Sequence, residues 1–135
     1  MAIYTDAQKK QIVLDTIAAY QTRESCARAA RGCFYRSGDP SDKRKCAVGR
    51  LMPDDAPHLI TRYTGSVQSL IPIINAYYMH EQMPDWAQDI RDNVQFLMLL
   101  QKSHDNFSKL DSTYVSTFAS ITEALRSFLP RYTPV

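Results

Sequence analysis

The residues whose types could carry out chemistry are concentrated at positions 33–55. There Cys33 and Cys46 lie on either side of a turn-forming stretch rich in lysine and arginine. The three residues directly before Cys46 are all cations: Lys43, Arg44 and Lys45. Neighbouring cations favour the thiolate, which is the nucleophilic form of cysteine. Cys46 is therefore a candidate nucleophile.

His104 and Asp105 form a second candidate pair, because His104 could act as the base for Cys46. Adjacent residues on a helix point about 100° apart, so we expect that Asp105 does not orient His104. The pair is also of the kind that binds metal in phosphohydrolases of the HD type, with His80 and Asp111 as further ligands. His104 falls on the apolar stripe of its helix, however, and a buried histidine bonded to the backbone is the plainer interpretation.

The cysteines allow two more interpretations. A zinc site would take Cys26, Cys33, Cys46 and His58, but no Cys-x-x-Cys pair is present to nucleate it. A disulfide between Cys33 and Cys46 would need an oxidising compartment, and the cysteine count is odd. We expect small buried thiols that pack like apolar side chains, and we expect no metal or cofactor.

Charge is distributed unevenly along the chain. Between Arg28 and Arg50 there are seven basic and two acidic residues, a local balance of +5, whereas the whole chain carries +2. Such a segment is either a solvated loop or a contact surface for phosphates, nucleic acid or an acidic protein face. No motif of a nucleic-acid-binding protein accompanies it. The candidate binding residues are Arg36, Lys43, Arg44, Lys45 and Arg50, with Phe34 and Tyr35 as rings that could stack on a ligand.

The first half of the chain predicts one helix and one hairpin. Thr5 and Gln8 form a capping box that starts a helix over residues 6–21, with its apolar stripe toward the core. We interpret residues 22–32 as a connector that can include a helical turn. Residues 33–35 and 45–48 are β-prone and flank a turn at 38–42, which predicts a β-hairpin. We expect the apolar residues that follow the loop to be buried: Cys46, Ala47, Val48, Leu51 and Met52.

The second half predicts helices over about 54–62, 66–80, 86–106 and 112–129. Ser66 caps the second of these, Pro72 starts, kinks or divides it, and Pro130 ends the last. The 135 residues are 44% hydrophobic, enough for one core, so a single domain over 1–135 is expected. The fold class is mainly α (α+β), a compact bundle of about four to five helices with one small β-hairpin.

Two motifs together carry a resemblance. A Cys-aromatic-Tyr-Arg run at 33–36 precedes KCAVGRLMPDD at 45–55, and a later helix contains LQKSHDN at 100–106. This combination resembles a group of small uncharacterised phage and prophage proteins with the pattern C-[FY]-Y-R…K-C-A-[IV]-G-x-L-[IM]-P-D and a downstream His-Asp pair. The resemblance implies a phage accessory protein that acts on a host component.

Two classes of function remain open. In the first, the chain binds and modulates or inhibits a host protein, or binds an anionic nucleotide, and exposed aromatics such as Tyr63, Tyr77 and Tyr78 add contacts. The alternative is a small hydrolase that uses Cys46 or a metal at His104 and Asp105. No signal peptide or membrane span is expected, because the longest apolar run is residues 96–100. The expected location is the host cytoplasm, and the sequence does not predict the oligomeric state.

Overall fold

The structure is a computed structural model that describes residues 3–26, 35, 44–108 and 118–132, with only the backbone described for Glu24 and Tyr132. Within these ranges the protein is mainly helical, as the sequence predicts. The helices are α1 (Asp6–Ala19), α2 (His58–Thr61), α3 (Val67–Tyr77), α4 (Asp85–Asp92), α5 (Val94–Ser108) and α6 (Ile121–Phe128). Short 3₁₀ turns lie at Arg23–Ser25, Gly49–Leu51 and Pro130–Tyr132.

The predicted capping box at the start of α1 is confirmed. The backbone N–H of Gln8 donates to the Thr5 hydroxyl at 3.1 Å, and the Gln8 side chain accepts from the backbone N–H of Thr5 at 2.8 Å. The helix ends at Ala19, two residues before the predicted end. Tyr20 is nevertheless 2% exposed, so the residue that ends the predicted stripe lies in the core just beyond the helix.

Helix α3 begins as predicted, with the Ser66 hydroxyl accepting from the backbone N–H of Ser69 at 3.1 Å. Pro72 lies inside this helix and does not end it. Proline at this point removes the N–H that would pair with the carbonyl of Gln68. Both residues are on the exposed side of the helix, where water can replace the missing donor.

The single helix predicted over 86–106 is in fact two helices, α4 and α5, and this prediction was wrong. The break is at Asn93, whose side chain bonds to the backbone of Asp89 on α4 and to the backbone of Tyr4 near the start of the chain. The Asn93 Nδ2 donates to the carbonyl of Asp89 at 2.7 Å, which competes with regular helical bonding. Apolar periodicity continues across the break and therefore does not reveal it.

The other helices are shorter than predicted. Helix α2 covers only His58–Thr61 and follows Pro57. Helix α6 covers Ile121–Phe128 and is capped by Ser120, whose hydroxyl accepts from the backbone N–H of Glu123 at 3.1 Å. Residues 112–117 of the predicted last helix lie outside the described residues. The helix ends before Pro130, as predicted.

The core is centred on α5, which packs against α3, α4 and α6. Its fully buried members include Leu97, Leu100 and Phe107, together with Leu70 of α3 and Leu125 of α6. Side chains from α3 and α6 thus pack against those of the central helix α5. Of the helices in the described ranges, none has both the length and the apolar composition that crossing a bilayer requires.

No strand is present in the described part of the chain, so the predicted β-hairpin is not seen there. Most of that prediction falls on residues 33–34 and 36–43, which lie outside the described residues. One backbone bond does join its two sides, because the N–H of Cys46 donates to the carbonyl of Tyr35 at 3.1 Å.

The predicted burial after the loop is correct for Cys46, Ala47, Val48 and Met52, none of which is more than 2% exposed. Leu51 is different, because it is only partly buried against this cluster. The chain turns through a 3₁₀ turn at Gly49–Leu51, and with three residues per turn not every apolar side chain there can point inward.

Candidate functional site

Residues 44–52, here called the motif segment, are attached to two helices by side-chain hydrogen bonds. The backbone N–H of Val48 donates to Oε1 of Gln101 on α5 at 3.1 Å. The Tyr20 hydroxyl, just beyond α1, donates to the carbonyl of Lys45. The two sequence motifs are thus brought together, since Gln101 lies three residues before His104.

The turn inside the motif segment requires glycine at position 49. A Cβ atom at Gly49 would lie 1.8 Å from the carbonyl oxygen of Tyr35, which is a backbone atom and cannot rotate away. The same turn is closed by the backbone N–H of Arg50, which donates to the carbonyl of Cys46 at 3.1 Å. The segment is therefore held directly against the backbone of Tyr35.

Cys46, the candidate nucleophile, is 0% exposed. Its sulfur accepts a hydrogen bond from the backbone N–H of Gly49 at 3.3 Å. A thiol in this position packs as part of the core, and a substrate in solution does not reach it without a rearrangement of the segment. Cys26 is buried in the same way, and Cys33 lies outside the described residues.

His104 and Asp105 are in direct contact, contrary to the expectation that adjacent helical residues cannot pair. Nδ1 of His104 lies 2.9 Å from Oδ1 of Asp105. The expectation was wrong because it used only the directions of the Cα–Cβ bonds, whereas the rotation of each side chain also decides which atoms meet. Nε2 of Gln101 donates to the same Asp105 oxygen at 2.8 Å and fixes the carboxylate in place.

The contact with Asp105 determines the tautomer of a neutral His104. A carboxylate can only accept, so Nδ1 carries the proton and Nε2 presents a lone pair. His104 is 0% exposed, and its Nε2 has no hydrogen-bond partner among the described residues. The Tyr20 ring packs edge-on against the imidazole with centroids 4.8 Å apart. His104 is therefore buried as predicted, but it is bonded to a carboxylate and not to the backbone.

Tyr35 is buried beneath the motif segment. Its hydroxyl donates to the carbonyl of Gly65 at 3.0 Å, and its ring stacks on Tyr63 with centroids 6.5 Å apart. Burial raises the pKa of the Tyr35 hydroxyl well above its usual value, and the charges of Cys46 and Asp105 raise it further. The sequence analysis proposed the Tyr35 ring as a group that could stack on a ligand. In the structure this ring is buried and stacks on Tyr63 instead.

The described basic residues lie on the outer side of the motif segment. Arg44 and Arg50 are exposed, and Lys45 is half-buried. Nζ of Lys45 pairs with Oδ1 of Asp54 at 3.5 Å. The Arg50 guanidinium lies 5.9 Å from the centre of the Tyr20 ring, which gives this long side chain a preferred position.

The remaining predicted site residues either lie outside the described residues or are exposed. Phe34, Arg36, Lys43 and Asp111 lie outside the described residues. His58 and His80 are exposed. In the ranges that the structure describes, no three histidine, cysteine, aspartate or glutamate side chains come close enough together to hold a metal ion.

Sequence reasoning did not single out Gln101, although it connects the motif segment to Asp105. The available signal was a polar residue beside Leu97 and Leu100 on the helix face that also carries His104. Such a residue is buried only when its amide finds partners. Here both ends of the amide are bonded.

Comparison with known proteins gives no assignment, since no protein-family model, curated protein or solved structure matches this chain.

Proposed function

We propose that this chain is a phage-type accessory protein that binds and modulates or inhibits a host component in the host cytoplasm, without catalysing a reaction. The contact surface is the basic side of the motif segment. The observation that carries the proposal is the division of this segment into two sides. Cys46, Val48 and Met52 are buried, whereas Arg44 and Arg50 are exposed.

A segment held in this way suits binding. Its backbone is bonded to Gln101 and Tyr20, and Gly49 packs on Tyr35. A contact surface that is ordered before binding loses less conformational entropy when a partner docks. The +5 balance of residues 28–50 favours an anionic partner, either an acidic face of a host protein or a nucleotide.

The test is capture from host lysate, with mass spectrometry of the proteins and small molecules that co-purify. The double variant Arg44→Glu, Arg50→Glu should reduce capture of the wild-type partner by roughly tenfold or more, and rising salt should do the same. Arg126→Glu, an exposed arginine on α6, is the matched control and should retain capture. Cys46→Ser should have only a small effect on capture in the same assay. Equal capture by both arginine variants would contradict the proposal.

A small hydrolase remains as a second candidate because of one observation. The bond from His104 Nδ1 to Asp105 leaves Nε2 as a buried lone pair, which is the arrangement of an oriented general base. Turnover of a nucleotide library by the wild type, lost in Asp105→Asn, would support this candidate. If the wild type turns over a nucleotide and captures no partner from lysate, the hydrolase becomes the better proposal and the binding proposal is rejected.

A further inference from the structure

A cluster of partly exposed aromatic side chains lies where α3 ends and α4 begins. The Tyr77 and Tyr78 rings meet edge-on with centroids 4.9 Å apart, and Tyr78 meets Trp86 in the same way at 6.4 Å. Tyr77 is 44% exposed and the adjacent Met79 is 68% exposed. We call the surface formed by Tyr77, Tyr78, Met79 and Trp86 the aromatic surface.

The chain around the aromatic surface is rich in acidic residues. Residues 77–92 contain four carboxylates and one arginine, a balance of −3. That arginine, Arg91, already pairs with Asp92 at 3.0 Å and contacts the sulfur of Met83. The segment therefore has the opposite sign to residues 28–50.

Two carboxylates, those of Glu81 and Asp55, lie close enough to Tyr78 to affect its ring hydroxyl. Burial raises the pKa of Tyr78, and the charges of Tyr77, Glu81 and Asp55 raise it further. On α4, burial raises the pKa of Asp89, and Asp85 and Asp92 add to the increase. Negative charge near Tyr78 repels phosphates and attracts cations.

The combination of aromatic rings and carboxylates favours a cationic ligand. Ring faces attract guanidinium and ammonium groups, and the long stems of arginine and lysine cover apolar surface. Carboxylates at the edge then bond the cationic end. We propose that the aromatic surface is a docking site for a segment of a partner protein that carries arginine or lysine. This contact is separate from that of the basic motif segment, which favours an anionic partner.

The experiment uses the fluorescence of Trp86, since it is the only tryptophan in the chain. The probe is a short synthetic peptide of alternating arginine and glycine, titrated into the full-length protein. A peptide with glutamate in place of arginine is the comparison. We expect a saturable change in the Trp86 emission with the arginine peptide and none with the glutamate peptide. No saturable change with the arginine peptide would overturn the proposal.

Two variants distinguish a specific site from general attraction of charge. Tyr77→Ala should weaken binding of the arginine peptide about fivefold, and Glu81→Gln roughly threefold, whereas Tyr77→Phe should bind like the wild type. Leu14→Ala and Asp15→Asn change an exposed apolar residue and an exposed carboxylate on α1, and neither should alter binding. Because Tyr77 is exposed, its variants should keep the wild-type melting temperature.

Three outcomes would contradict the docking site. The first is equal binding by Tyr77→Ala and the wild type, because only net charge would then be recognised. The second is equal loss of affinity in Asp15→Asn and Glu81→Gln. The third is a concentration-dependent dimer in sedimentation that Tyr77→Ala dissociates, because a second copy of this chain would then be the occupant.

Discussion

At the scale of single residues, Gln101 joins the motif segment to the His104–Asp105 pair. It is 7% exposed, and its amide joins the backbone of Val48 to the carboxylate of Asp105. A buried amide with both ends bonded fixes the position of its neighbours, and removal of one member leaves the others without partners. The motif segment and the His104–Asp105 pair therefore depend on the same side chain.

Gln101→Leu should lower the free energy of unfolding by about 1–3 kcal/mol, because the buried N–H of Val48 loses its acceptor. The control is Gln11→Leu on α1, where Gln11 makes the same type of bond to Asp15, four residues later, but is exposed. That control should change stability by less than about 0.5 kcal/mol. Urea unfolding measures both variants, and equal losses would show that Gln101 does not anchor the motif segment.

At the scale of elements, the break between α4 and α5 sets the direction of the central helix. The side chain of Asn93 is 6% exposed. Its Oδ1 accepts from the backbone N–H of Tyr4 at 2.8 Å, and its Nδ2 donates to the carbonyl of Asp89. Tyr4, which precedes the N-cap of α1, is thus attached to the joint between two later helices.

Asn93→Ala should destabilise the protein by about 1–3 kcal/mol, because the half-buried backbone groups of Tyr4 and Asp89 lose their bonds to the amide. Asn106→Ala is the control, since Asn106 donates to the carbonyl of Lys102 at 2.9 Å with the same spacing on a more exposed site. Hydrogen exchange gives a second measurement, in which the amide of Tyr4 should lose protection only in Asn93→Ala. Retained protection at Tyr4 would contradict the assignment.

At the scale of the whole molecule, tyrosines with raised pKa values connect stability to pH, among them the partly buried Tyr4. Burial raises the pKa of Tyr4 to about 12, with the charge of Asp89 as a second cause. The unfolded chain loses this proton near pH 10. Between about pH 10 and 12 the folded state therefore holds a proton that the unfolded state releases, and rising pH favours unfolding. The stabilising effect is complete below pH 10.

Tyr4→Phe should reduce the loss of stability between about pH 10 and 12, because the titrating hydroxyl is absent while the ring can keep its contact with Phe96. Unfolding by urea at several pH values gives the comparison. Tyr35, whose pKa is raised by burial first and by charge second, remains in the variant and should maintain some loss at higher pH. An identical pH profile in the variant and the wild type would exclude Tyr4 as a contributor.

The sequence by itself determined the helical class and the starts of α1 and α3. Capping at Thr5 and Ser66 involves residues three apart, and apolar periodicity is read within one helix. The start of α6 at Ser120 was not predicted. Capping and periodicity are local properties, so they are present before any tertiary contact forms. The same reasoning predicted the burial of Cys46, Val48 and Met52, because a short segment of this kind is stable only when packed on helices.

Only the tertiary structure decided which polar groups pair. Val48 and Gln101 are 53 residues apart in the sequence, and Tyr4 and Asn93 are 89 residues apart. No local sequence pattern therefore predicts either hydrogen bond. The contact between His104 and Asp105 depends on side-chain rotation within a packed core, in which Tyr20 and Gln101 restrict both groups. Periodicity gives the helix face on which a residue lies. The packing of the helices determines the partner of that residue, because a buried polar group must bond to the donors and acceptors of the neighbours that pack against it.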